Sequence, residues 1–206
     1  MPITNFANNI HFPADNKAVA PEPNENELLA RIVRADELAL KELYCIYYSR
    51  LRRFVARING GRAVDEIIND VMFVVWQKAG TFNRQCRPST WIFGIAYNKA
   101  RQAFKADRPD FVESLDAIGM DSQELGIIDS GLRQLEMNNL LTEAFRCLSP
   151  EQRAVIELTY FHGMSYQEIS QVMDCSENTV KTRMFYARIK LSKVLGAGEN
   201  SDSKTE

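Results

Sequence analysis

From Val64 to Val75 apolar residues return every three or four positions, as Val64, Ile67, Ile68, Val71 and Val75. That spacing predicts a helix with one buried stripe, leaving Glu66, Asn69, Asp70, Phe73 and Gln77 on the opposite edge. Helical periodicity runs from Leu28 to about Lys105, broken at "NGGR" (59–62) and at "TFNRQCRPST" (81–90). Strand alternation and hairpin signals are weak throughout. The helical period lapses from about Asp107 to Gly131, then resumes with Leu140, Leu141, Ala144, Phe145 and Leu148 as a new buried stripe.

Three helix starts follow. "SPEQ" offers Ser149 as N-cap, Pro150 at the first helical position and Gln152 three residues past the cap. "SYQE" repeats the arrangement with Ser165 and Glu168 after the Gly163 break, and Ser176 can cap the last helix. Ser89 and Thr90 are read as the cap before Trp91. The fold class expected is all-α, with two small helical domains joined by an acidic flexible linker. The segments are a disordered leader (1–26), a helical domain (27–106), the linker (107–133), a four-helix unit ending in a helix-turn-helix (134–195) and a disordered tail (196–206).

In the last two helices, Ile169 and Val172 can pack against Val180, Met184, Ala187 and Leu191. The outer face of the second helix then presents Asn178, Lys181, Thr182 and Phe185, with Arg183 and Arg188 beside them. Amide, ammonium, hydroxyl and an aromatic ring are what a recognition helix needs to touch base edges and thymine methyls, while the arginines hold phosphates. The competing reading is a helical hairpin with a solvated basic face; an exposed Phe185 favours DNA. Such pairs usually carry a small residue in the first helix and a glycine in the turn. Here Ser170 and Asp174 stand there, and Asp tolerates left-handed geometry better than most residues.

Charge sharpens this picture more than composition does. The chain has 206 residues, 45% hydrophobic and 25% charged, with a net charge of −2, so it is no polycation that would coat nucleic acid indiscriminately. The charge is segregated. Five arginines and no acid lie between Arg50 and Val64, and five basic residues and no acid between Lys181 and Lys193. Six acids and no Lys or Arg lie between Asp110 and Asp129. Two basic surfaces separated by an acidic strap, or solvated helix faces around a loop, both fit this layout. Cys45, Cys86, Cys147 and Cys175 are too scattered for a disulfide frame or zinc site, and His11 and His162 suggest no metal. Neither a signal peptide nor a membrane span is evident, which leads to the expectation of a cytoplasmic protein without membrane insertion. No nucleophile–base pair or phosphate loop points to an enzyme or a cofactor.

The acidic stripe of 64–77 could dock on a basic partner through the Phe73 ring, or Phe73 could be a second core aromatic. The rest of the chain bears on that choice. "VDEIINDVMFVVW", "STWIFGIAYNKARQAF" and "LSPEQRAVIELTYFHGMSYQEISQVMDCSENTVKTR" occur in this order, on either side of the acidic segment. They resemble, respectively, the core-binding helix, promoter-melting helix and upstream-element domain of extracytoplasmic-function sigma factors, a group of the sigma-70 family. Asn69 and Asp70 depart from that family's preference for Gln and Glu. The resemblance implies an alternative, stress-response type of sigma factor that binds core RNA polymerase at its clamp coiled coil and flap. It implies polymerase contacts through Asp65, Glu66, Asn69, Asp70, Phe73, Trp76 and Gln77. It further implies minus-ten contacts through Trp91, Tyr97, Asn98, Arg101 and Lys105, with a flipped base trapped beside the 82–90 loop. Asn98 is the candidate hydrogen-bonding group, Tyr97, Arg101 and Lys105 share its outward face, and Trp91 is either a DNA contact or a core residue. The helix-turn-helix would read the minus-thirty-five element, the acidic strap would lie in the RNA channel, and an anti-sigma factor would cover these surfaces. The alternative is a freestanding helix-turn-helix regulator with an amino-terminal sensing domain.

Overall fold

Each helix of this protein starts or stops where a local backbone requirement is met. In the computed structural model, which describes residues 24–107 and 145–198, all regular structure is helical. Helix α1 (Glu25–Val33) is capped by Asn24, and α2 (Glu37–Asn59) by Asp36, whose carboxylate accepts from the Leu38 and Ala39 N–H groups at 3.0 and 3.2 Å. Helix α2 ends on Gly60 at φ 69°, a left-handed conformation that glycine adopts without a Cβ penalty. Helix α3 (Val64–Lys78) follows, running into a 3₁₀ turn over Ala79–Thr81. Helix α4 (Pro88–Asp107) begins on proline, earlier than the Ser89/Thr90 cap expected from sequence. Thr90 is buried instead, with no hydrogen-bond partner for its hydroxyl.

In the carboxyl half, α5 (Pro150–Tyr160) and α6 (Tyr166–Met173) both open with the reciprocal capping box expected from sequence. The Ser149 Oγ accepts from Gln152 N at 3.2 Å while Gln152 Oε1 accepts from Ser149 N at 3.1 Å. Helix α6 ends on Asp174 in the left-handed region, φ 49°, and Ser176 caps α7 (Glu177–Gly198) by accepting from Thr179 N at 3.1 Å. Helix α7 thus runs three residues into the segment read as a disordered tail. Phe145 and Leu148 of the expected preceding helix are buried. Residues 24–26, read as the end of a disordered leader, instead cap and open α1, and Asp107 is the last residue of α4. The rest of the leader and of the acidic linker, with Leu140, Leu141 and Ala144, lie outside the described residues.

Helices α2, α3 and α4 pack mutually, with α1 laid across α2. Tyr47, Phe54 and Phe93 form their aromatic centre, Phe54 meeting Phe93 edge-on at 5.1 Å. Helices α5, α6 and α7 form the second module. The modules do not stand apart: α5 packs on α2 and α6 on α4, so buried apolar side chains of both make one continuous core.

Candidate polymerase and promoter surfaces

The stripe predicted for α3 is present in space. Ile67, Ile68, Val71 and Val75 are buried, Val64 is half-buried, and Asp65, Glu66, Asn69, Asp70 and Gln77 are exposed. Phe73 stands 60% exposed among them, while Trp76 is partly buried against the core. A phenyl ring held in water by a rigid helix loses little freedom on binding, which is the property of an interface anchor.

Neighbouring elements organise these polar groups, and sequence reading missed them. The Tyr48 hydroxyl donates to Asp65 Oδ1 at 2.9 Å, the Tyr44 hydroxyl to Asn69 Oδ1 at 3.3 Å, and Lys99 Nζ meets Asp70 Oδ2 at 2.9 Å. Tyr44 and Tyr48 stack on each other with centroids 5.5 Å apart. Their spacing of four residues on α2 was the available signal. The hydrogen bond to Asp65 raises the Tyr48 pKa. Beyond Trp76 the face continues into an open groove of about 440 Å³ lined by Ile32, Val33, Ala35, Gln77 and Gly80.

On α4 the expected minus-ten residues separate. Asn98 and Lys105 are exposed, Arg101 is partly exposed, and Trp91 is half-buried with its ring 5.3 Å from that of Phe82. Tyr97, expected on the outward face, is only 2% exposed. Helices α2, α3 and α6 all pack on α4, so little of its circumference remains for solvent and the single-stripe assumption fails there.

In the helix-turn-helix, Ile169, Val172, Val180, Met184 and Ala187 are buried and Leu191 partly so, as the pattern required. Asn178, Lys181, Thr182 and Arg188 are exposed, Arg183 is partly so, and Phe185 is 61% exposed. The Thr182 hydroxyl donates back to the Asn178 carbonyl at 2.9 Å, leaving its oxygen to accept. Arg188 donates to the Tyr160 hydroxyl at 2.9 Å, and Arg183 leans on the Cys175 sulfur at 3.5 Å.

Sequence reading also missed Glu157 on α5, whose side chain is 0% exposed. Its carboxylate lies 3.0 Å from Arg57 Nε and 3.7 Å from Arg53 Nε, both on α2. Burial pushes its pKa up, against the pull of those two guanidinium groups. Beside it, the His162 ring sits 4.4 Å from Phe93 and 6.2 Å from Phe54. Burial, then the charges of Arg50, Arg53 and Arg57, lower the His162 pKa to about 3, so the imidazole is neutral.

Two family descriptions match the chain, one in each half. Residues 43–109 match the family described as sigma-70 region 2, and residues 138–191 match sigma-70, region 4. The chain is 25% identical over 169 residues to the ECF RNA polymerase sigma-E factor of Escherichia coli K12, covering 78% of this chain and 88% of that one. The sigma-E factor of Haemophilus influenzae is 21% identical, with 82% and 94% covered. Among solved structures, CnrH in complex with the cytosolic domain of CnrY aligns with TM-score 0.62 at 23% identity, covering 84% of this chain and 97% of that one. RpoE in complex with the anti-sigma factor NepR from Bartonella quintana aligns with TM-score 0.58 at 22% identity, covering 76% and 96%.

Proposed function

The chain belongs to the extracytoplasmic-function group of sigma-70 family RNA polymerase sigma factors and directs polymerase to promoters; from that premise we propose how its surfaces divide the work. The exposed face of α3 grips a basic surface of core polymerase, the clamp coiled coil. Phe73 is the anchor, Trp76 backs it, and Asp65, Glu66, Asn69, Asp70 and Gln77 make polar contacts around the ring. The observation that carries this reading is Phe73 itself, a large apolar ring left 60% exposed on a helix whose other aromatic, Trp76, is partly buried.

Helix α4 and the 82–90 loop hold the opened minus-ten strand. Asn98 is placed to hydrogen-bond an unstacked base, which offsets part of the few kcal/mol that unstacking costs. Lys105 and Arg101 are placed along the backbone. Helix α7 enters the major groove of the minus-thirty-five element with Asn178, Lys181, Thr182 and Phe185, while Arg183 and Arg188 contact phosphates. The region 4 module also reaches the polymerase flap. In this role the chain performs no catalysis, since the polymerase makes the RNA, and it acts in the cytoplasm. Among the described residues no helix is long and apolar enough to cross a membrane. An anti-sigma factor is the expected negative partner, because both structural neighbours were solved with such a regulator or with a cytosolic partner domain.

A gel-shift with promoter DNA tests the reading against a freestanding regulator. The chain alone is expected to retard a specific duplex weakly, and chain plus core polymerase to retard it strongly. Tight, sequence-specific retardation by the chain alone, unchanged by core enzyme, would support the regulator instead.

A further inference from the structure

Different chemistry grips the two flanks of α3. On one flank the Tyr48 hydroxyl donates to Asp65 Oδ1 at 2.9 Å and the Tyr44 hydroxyl to Asn69 Oδ1 at 3.3 Å. Numbers fall along α2 as they rise along α3, so the helices run antiparallel here and two donors four residues apart meet two acceptors four residues apart. The tyrosine rings lie 5.5 Å apart with 20° between their planes, so each braces the other. On the other flank Lys99 Nζ of α4 meets Asp70 Oδ2 at 2.9 Å. Asp65, Asn69 and Phe73 follow at intervals of four on α3, so the groups that α2 holds stand in line with the exposed ring.

The two flanks leave different charges behind. A phenol is neutral, so Tyr48 aims the Asp65 carboxylate without cancelling it, whereas the ammonium of Lys99 offsets the charge of Asp70. A hydrogen bond this open to solvent contributes little to the fold, because water makes an equivalent bond to the unfolded chain. Its effect is conformational, selecting one setting of a side chain that otherwise turns freely. A partner then meets a carboxylate already in place and is spared the cost of ordering it. We propose that Tyr48, braced by Tyr44, is a positioning residue for polymerase binding, holding Asp65 as the charged contact of the α3 face while Lys99 withholds Asp70. This goes beyond the reading of α3 as the polymerase surface, on which it rests, by naming the α2 residues that act through that face and ranking its acids.

A purely structural role for the same bond makes a different prediction. Asp65 lies in the first turn of α3, whose N-cap Ala63 supplies no side-chain hydrogen bond, and an acid there suits the helix dipole wherever it points. If Tyr48 serves only the start of this helix, loss of its hydroxyl reaches polymerase binding through stability and adds to the loss of Asp65. If Tyr48 acts by aiming Asp65, its hydroxyl is worth nothing to binding once Asp65 is gone, and the two losses overlap.

The test uses the full chain in fluorescence competition for core polymerase, with thermal unfolding of each variant alongside. Tyr48→Phe keeps the ring and removes the hydroxyl, and is expected to weaken binding about fivefold at an almost unchanged melting temperature. Asp65→Ala is expected to weaken binding about tenfold, and Tyr48→Phe combined with Asp65→Ala no further than Asp65→Ala alone. Lys99→Ala frees Asp70 and is expected to tighten binding about twofold. Phe73→Ala in the same assay separates the inference from its premise, since an affinity unchanged by Phe73→Ala overturns both. Where Phe73→Ala does weaken binding, three results overturn the inference alone: full affinity in Tyr48→Phe, additive losses in the double variant, or no tightening by Lys99→Ala. Losses of affinity that follow falls in melting temperature across the variants would likewise overturn it, in favour of the structural role.

Discussion

The carboxylates of α3 and the carboxylate of Glu157 are the same chemical group in opposite solvents. Asp65, Glu66 and Asp70 stand in water around an exposed phenyl ring, where a charge costs little and remains available to a partner. Glu157 is wholly out of water, where a charge is tolerated only because two guanidinium groups share it. An exposed acid can specify a partner yet to arrive, whereas a buried acid specifies an arrangement already made. The first setting belongs to recognition between molecules and the second to recognition within one.

That contrast can be broken most forcefully from the buried side. Arg57→Met removes one partner of Glu157 and is expected to lower stability to denaturant by about 3–5 kcal/mol. Adding Glu157→Leu replaces both charges by apolar groups and is expected to recover most of the loss. A double variant no more stable than Arg57→Met would show that the pair is not the reason.

On the exposed side, Phe73→Ala is expected to weaken polymerase binding by about 2 kcal/mol, roughly thirtyfold, in a fluorescence competition assay. Its melting temperature is expected to stay within a degree or two of wild type, since Phe73 is already 60% exposed in the folded chain. Equal losses of affinity and stability would place Phe73 in the core instead.

The pH dependence of stability sharpens the buried side further. His162 titrates near pH 6.5 when unfolded and near about 3 when folded. Between those values the unfolded chain binds the extra proton, so the histidine's contribution is present above about pH 6.5 and is lost as pH falls. The slope is at most about 1.4 kcal/mol per pH unit. The groups facing the ring are Arg50, Arg53, Arg57 and Glu157, and Glu157, its pKa raised by burial, runs the opposite way. The informative quantity is therefore the difference between wild type and His162→Gln. Wild type is expected to gain more stability than His162→Gln as pH rises from 5 to 6.5, and parallel curves would contradict a buried neutral imidazole.

The smallest effect concerns the turn of the helix-turn-helix. Asp174 sits at φ 49°, where glycine is free of the Cβ clash. Asp174→Gly is expected to stabilise the chain by about 0.5–1 kcal/mol in thermal unfolding, and a loss of stability would mean that the aspartate side chain supports the turn.

The exposed setting was legible in the sequence and the buried one was not, for a physical reason. Ile67, Ile68, Val71 and Val75 repeat at helical spacing, so the polar face of α3 follows from the pattern alone. The two capping boxes, Ser149 with Gln152 and Ser165 with Glu168, are local in the same sense, and so is the left-handed turn at Asp174. Glu157 reads as an outward residue because periodicity treats any acid as solvated. Its partners Arg53 and Arg57 lie about a hundred residues away in the chain, where no local window sees them. Tyr97 fails for a related reason. Its amphipathic ring fits an outward face on a helix packed from one side, but α4 is packed from several. The packing of one module on the other is a property of two surfaces meeting and leaves no periodic trace.

The most direct test of the central claim, that this chain acts by bringing polymerase to promoters, is to map RNA 5′ ends made on genomic DNA. Core polymerase would be used with and without the full chain. The account predicts discrete new start sites sharing upstream elements near minus ten and minus thirty-five, absent with core alone and lost with Phe73→Ala. An unchanged set of 5′ ends, with the chain instead bound tightly to its own duplex sites in the absence of polymerase, would contradict it.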